Sequence, residues 1–192
     1  MSAKLKSVFP SREDWEYGLL AIEPGWFTGP DGKPYFLMQF GFEDIPGWEP
    51  ILRAILMMAK HYQEDWEDAK KLVAKWEAEG GEATQSEGYK MRKKQLDEQP
   101  VNPYSPENFK VAQVKEKFAG LRFYVHGGDR RIREVIDMAE ILSFLLCMRC
   151  GLPGKLRDEK AGLGWDLTLC DPHYKAEKKR LSKRLGKLLR VK

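Results

Sequence analysis

All three cysteines of this 192-residue chain fall on one spacing. Cys147-Met148-Arg149-Cys150 is followed, after nineteen residues, by Cys170-Asp171-Pro172-His173, a C-x2-C-x19-C-x2-H frame. No other feature restricts the fold as much, because it draws two separate segments onto a single point. Three thiols make a poor disulfide framework, and a chain that opens without a charged-then-apolar leader is expected where thiols stay reduced, in the cytoplasm. A metal ion suits the spacing better. Zinc takes four thiolate or imidazole ligands in a tetrahedron, and a two-residue gap lets a tight turn aim two side chains at one ion. Gly151 gives such a turn the backbone freedom it needs when its amides face the sulfurs.

Between the two ligand pairs lie Gly162 and Gly164, then Trp165-Asp166-Leu167-Thr168-Leu169, which alternates like a strand. Asp171-Pro172 suits a helix start, where proline has no amide to lose. Knuckle, hairpin and ligand-bearing helix in this order describe a treble clef. Cys147, Cys150, Cys170 and His173 are therefore the expected ligands of a structural Zn2+, with no coordination position left for substrate.

One enzyme family shares the frame. HNH nucleases resemble this stretch in the Cys-x-x-Cys opening and in an ending like Leu169-Cys170-Asp171-Pro172-His173-Tyr174-Lys175. In that family a metal-binding and general-base His, and usually an Asn, lie between the two pairs, whereas residues 151–169 contain neither. Hydrolysis has no base to activate water, so the resemblance implies a shared scaffold without the nuclease. His126, near Arg122, Tyr124 and Asp129 in the sequence, has the chemistry of a general base, but a histidine at such a strand end is more commonly solvent-facing or turn-bonded. Glu43-Asp44 and Glu64-Asp65 are adjacent pairs that do not face each other on a helix. The expectation is a protein that is not an enzyme.

The remaining chain divides into 1–48, 49–105, 106–146 and the zinc module 147–192. The first segment mixes Trp15, Tyr17, Trp26 and Phe27 with Gly and Pro, which predicts turn-rich structure with aromatic anchors. Its Tyr35–Phe42 run reads as a buried strand. From Trp48, apolar residues Ile51, Ile55, Met58, Tyr62, Trp66, Ala69, Val73 and Trp76 recur at spacings of three or four. This predicts one helix of about thirty residues ended by Gly80-Gly81. A weaker helix over 86–98 would make a helical hairpin. The stripe serves either the core or a helix partner, including a homodimer through the 49–79 helix. A β-hairpin turning near Ala119-Gly120, an Asp129 N-cap and a helix running from there into the knuckle complete the reading. The fold class is α+β, with a small β-hairpin, packed helices, a long helical excursion and the zinc module.

The segment Gln113-Val-Lys-Glu-Lys-Phe-Ala-Gly-Leu-Arg-Phe-Tyr124 together with the downstream cysteine frame resembles uncharacterised proteins of tailed bacteriophages and prophages. Phe40-Gly-Phe-Glu43 and Gly47-Trp48 are similar to the N-terminal part of the same proteins. The resemblance covers residues 35–60 and 109–176 and implies a phage origin and a zinc site, with no activity to carry over.

Charge supplies the functional expectation. The formal net charge is +4, yet residues 174–192 hold nine Lys/Arg against one Glu. The tail is thus strongly basic and the body before it is net acidic. Tyr174, Leu181, Leu185 and Leu188 share one face of a helix, and Lys175, Lys178, Lys179, Arg180, Lys183, Arg184, Lys187 and Arg190 cover the rest. A basic amphipathic helix of this kind fits a nucleic-acid backbone, an acidic protein groove or an anionic lipid surface, and its bland counterpart is a solvated tail that aids solubility. The leading expectation is a non-enzymatic zinc protein that binds DNA, RNA or a host complex that handles them. The alternative is a protein-interaction module, inhibiting a host defence or transcription complex through the acidic face of the long helix. Apolar runs fall short of the roughly 18 residues that cross a bilayer, so no membrane partner is expected.

Overall fold

The apolar stripe becomes one continuous helix of 31 residues, Glu49–Glu79. The computed structural model describes residues 3–9, 12–158, 160 and 162–189. Their helices are α1 (Ala3–Val8), α2 (Asp14–Leu20), α3 (Glu49–Glu79), α4 (Glu87–Glu98), α5 (Arg130–Ser143) and α6 (Asp171–Leu189). Strands β1 (Lys110–Lys117) and β2 (Gly120–His126) form one antiparallel pair, β3 (Lys155–Arg157) and β4 (Leu167–Leu169) another. The architecture is mixed α+β.

The long helix has two roles along its length. Leu52, Ile55, Leu56 and Ala59 are fully buried in the core, beside Trp26, Trp48, Tyr104 and Phe109. Further on, Trp66, Ala69 and Val73 are buried by the chain's own return through α4 and the loop after it. Trp66 Nε1 donates to the Gln99 carbonyl at 2.9 Å, and Trp76 meets Tyr89 edge to face. Ile55, Trp66, Ala69 and Val73 of the apolar stripe are thus covered within the chain, and Ile51, Met58, Tyr62 and Trp76 are partly covered. Gly80 ends the helix with φ 64°, a conformation that costs glycine nothing.

The β1–β2 hairpin turns through Phe118 and Ala119, both with positive φ (54° and 64°). Two strands alone are marginal in water. Here α5 runs along the free edge of β2 and supplies hydrogen-bond partners from its side chains. Leu121 N–H donates to Ser143 Oγ at 2.8 Å, and Phe123 N–H to a Glu140 carboxylate oxygen at 3.0 Å. Asp129 caps α5 by accepting from the Arg131 amide at 2.8 Å. The helix ends at Ser143, and residues 144–146 turn into the knuckle.

Tyr35–Phe42 is not a strand. It is a turn followed by a 3-10 helix at Met38–Phe40, with Met38 and Phe42 buried and Phe36 and Phe40 exposed. Its backbone finds side chains where a strand would find a ladder. The Arg12 guanidinium donates to the carbonyls of Met38 and Gln39, and the Phe42 amide donates to buried Glu16 at 3.2 Å. Glu16 is presented by α2, a helix inside the region expected to be irregular.

The tripeptide Pro-Gly-Trp occurs at 24–26 and again at 46–48, each time as a 3-10 turn with a fully buried tryptophan. Each indole donates to a distant carbonyl: Trp26 to Tyr104 at 2.8 Å and Trp48 to Leu146 at 2.9 Å. The first copy anchors the loop before β1. The second anchors the metal module.

Candidate metal centre and basic helix

The knuckle is built from backbone hydrogen bonds before any side chain is considered. Cys147 N–H donates to the Leu152 carbonyl at 2.7 Å, Gly151 N–H to the Cys147 carbonyl at 2.8 Å, and Met148 N–H to the Thr168 carbonyl at 3.0 Å. Gly151 takes φ 73° to close the turn. The 46–48 turn lies directly against it, with Gly47 N–H donating to the Met148 carbonyl at 2.8 Å. A Cβ on Gly47 would sit 2.2 Å from the Cys147 carbonyl oxygen and 2.5 Å from the amide nitrogens of Cys150 and Gly151. Arg149 extends the clamp by an ion pair with Asp44, whose carbonyl also accepts from it at 2.9 Å.

On this frame the ligand atoms of Cys147, Cys150, Cys170 and His173 all lie within 4.8 Å of one another. The Cys150 and Cys170 sulfurs are 3.8 Å apart, and His173 Nδ1 lies 3.6 Å from Cys147 Sγ and 3.1 Å from Cys170 Sγ. A tetrahedral ion with thiolates at about 2.3 Å and an imidazole at about 2.0 Å has edges of about 3.8 Å between sulfurs and about 3.5 Å between sulfur and nitrogen. The four residues can hold one metal ion. Cys147 is buried, Cys150 exposed and Cys170 partly buried. Burial pushes the Cys147 thiol up, but amides of Cys170, Arg149 and Cys150 donate to its sulfur and hold its pKa below the ordinary value. Cys150 is raised, by desolvation and by its neighbouring thiols.

His173 stands in the first turn of α6, so the candidate ligand set lies where the basic helix begins. Asp171 at its N-terminus pairs with Arg157 of β3 and is held below the usual carboxylate range, first by that hydrogen bond. Arg157 also stacks over Tyr174 at 4.6 Å. Lys175, Lys178, Lys179, Arg180, Lys183 and Arg184 are exposed along the helix. Two of them have local partners: Lys178 reaches the Tyr174 hydroxyl at 3.4 Å and Arg180 binds Glu177 at 2.5 Å. The side chains of Leu185, Lys187 and Leu188, and all of Arg190, lie outside the described residues.

The other candidates are dispersed. His126 is exposed at the end of β2, Glu43 accepts from the Glu116 amide at 2.9 Å, and Asp44 is taken by Arg149. On the acidic face of α3, Asp65 binds Arg92 and Gln95 while Glu67 accepts from Asn102, so that face is partly spent inside the chain. The spacing did not expose the supporting residues Gly47, Trp48, Arg149 and Thr168. The repeated Pro-Gly-Trp tripeptide is the signal that marks the first two. No helix among the described residues is long and apolar enough to cross a membrane. No family model matches the chain, and no curated protein or solved structure matches it significantly.

Proposed function

We propose that this chain is a phage-encoded, non-enzymatic zinc protein that binds nucleic acid or a complex that handles it. The observation that carries the reading is the covalent junction of the Cys3His cluster with α6, whose six described cations from Lys175 to Arg184 are exposed. Thiolate-rich, four-ligand sites favour Zn2+, leave it no open position, and contribute directly to folding. The ion would hold the ends of two segments, and the helix would leave it in a set direction with its cations toward a polyanion.

Two measurements test this. Metal analysis of the purified chain should find one zinc per molecule, and chelation should unfold the C-terminal module; metal-dependent turnover with the fold intact would instead reinstate a nuclease-like scaffold. Gel shifts at low salt should show binding to DNA or RNA that falls when Lys175, Lys178, Lys179, Lys183 and Arg184 are changed to Gln. Absence of any shift would remove the reading.

A second reading, a module that inhibits a host defence or transcription complex, is favoured by the exposed apolar residues Met138 and Ile141 on α5 and Leu145 and Leu152 beyond it. Its mark is a complex that survives nuclease treatment.

A further inference from the structure

The β1–β2 hairpin has one face turned to the core and one turned away from it. Val111, Val114, Leu121 and Phe123 are buried on the inner face. The register pairs Lys110 with His126, Gln113 with Tyr124, Lys115 with Arg122 and Lys117 with Gly120, and a bulge at Ala112 keeps Lys110 on the same side as the others. The outer face therefore carries Lys110, Gln113, Lys115, Lys117, Arg122, Tyr124 and His126, without a carboxylate.

Three lysines on this face each lie over an aromatic ring: Lys110 over Tyr35 at 5.4 Å, Lys115 over Tyr124 at 5.5 Å and Lys117 over Phe118 at 5.2 Å. The rings are not hidden by these contacts, since Phe118 is 70% exposed and Tyr124 is 42% exposed. An exposed phenylalanine at φ 54°, where a small or polar residue would be less strained, is not explained by packing. Three carboxylates at the hairpin are engaged away from this face. Glu116 faces inward and accepts from Ala119 N–H, Glu43 covers the β1 edge, and Glu140 lies on the β2 edge with Arg122. None of the three lysines has an ion-pair partner among the described residues.

We propose that this face binds single-stranded nucleic acid, with unpaired bases stacked on Tyr124 and Phe118 and phosphates held by Lys110, Lys115 and Lys117. Interleaved cations and exposed rings suit that ligand, because every base has a face to stack and every nucleotide brings a negative charge. A duplex keeps its bases stacked on one another and can use only the lysines. The strand from Lys110 to Lys117 spans about 23 Å at about 3.3 Å per residue, room for several nucleotides. The inference rests on the nucleic-acid reading above and narrows it to unpaired strands at a second contact surface.

The test is fluorescence anisotropy of the full chain with a thymidine or uridine oligonucleotide and with a duplex of the same length. Tyr124→Ala and Phe118→Ala are each expected to weaken single-strand binding about ten-fold or more, to leave duplex binding unchanged, and to be rescued by Tyr124→Phe at the first position. Changing Lys175, Lys178, Lys179 and Lys183 to Gln should weaken both ligands alike. If the ring variants leave single-strand affinity unaltered while the tail variant lowers it, this inference fails and the broader reading stands. Equal competition by polyglutamate also overturns it, in favour of an acidic protein partner. If the unaltered chain binds neither oligonucleotide nor duplex, both fail.

Discussion

Thr168 Oγ1 donates a 2.8 Å hydrogen bond to the carbonyl of Ala119, and both residues are fully buried. Ala119 belongs to the turn of the β1–β2 hairpin, and the Thr168 carbonyl accepts the Met148 amide of the knuckle. One residue of β4 thus joins the hairpin tip to the metal turn. The two modules that sequence reading separates are mechanically continuous at this point.

Thr168→Val removes the hydroxyl and strands a buried carbonyl. A loss of about 1–3 kcal/mol in stability is expected, the desolvation cost of an unpaired buried polar group. Urea unfolding of the metal-loaded chain measures it, and an unchanged midpoint would show that the Ala119 carbonyl finds another partner.

Gly47→Ala places a Cβ against backbone atoms of Cys147, Cys150 and Gly151, at 2.2–2.5 Å. Backbone has less room to yield than a flexible side chain, so the 46–48 turn and the knuckle are forced apart. The expected cost is about 1–3 kcal/mol, and metal affinity should fall with it because the same amides orient Cys147. Competition with a chromophoric chelator reads the affinity. Wild-type affinity would mean that the clamp has no part in holding the ligands.

Asp129 accepts from the Tyr104 hydroxyl at 2.5 Å and pairs with Arg131 at 2.8 Å, while Arg131 covers the ring of Tyr62 at 4.4 Å. Burial acts to raise the Asp129 pKa, but the hydrogen bonds from Arg131 and Tyr104 outweigh it and hold the carboxyl below the usual aspartate value. Tyr104 is pushed upward, first by burial and then by that carboxylate. A depressed carboxyl contributes stability that is present above its unfolded pKa and lost as pH falls through the folded one. Asp129→Asn keeps the N-cap, so it isolates the charge. It should cost about 1 kcal/mol near neutrality, after discounting for partial exposure, and the difference from wild type should shrink below about pH 4. Denaturation at pH 7 and pH 3 compares them; an equal gap at both would exclude the ion pair as its source.

If the six described tail cations each neutralise one phosphate, log K for duplex binding falls with log[salt] at a slope of about −5. Replacing three of them by Gln should bring it to about −3. A flat salt dependence would show that the basic helix is solvated rather than bound.

The elements of the fold differ in how much of their formation is local. The 49–79 helix, the turn at Ala119-Gly120 and the Asp129 cap are local: periodicity, turn chemistry and a capping side chain each act within a few residues. The clustering of Cys147, Cys150, Cys170 and His173 is equally legible, since a metal-binding frame has its own spacing. Tyr35–Phe42 departs from the expected strand because its apolar residues suit a strand as well as a turn. The choice fell to Arg12 and Glu16, distant side chains that satisfy its backbone.

By itself, then, the sequence determined which four residues come together in a cluster able to hold a metal ion, where the long helix runs and where positive charge gathers, because those follow from residue type and spacing. The tertiary structure alone decided that Gly47 seats the knuckle, that Thr168 couples it to the hairpin, and that α4 and the loop after it cover the stripe on α3. Each of these depends on which surfaces meet after the chain has closed on itself, and close packing admits a contact only where both surfaces leave room for it.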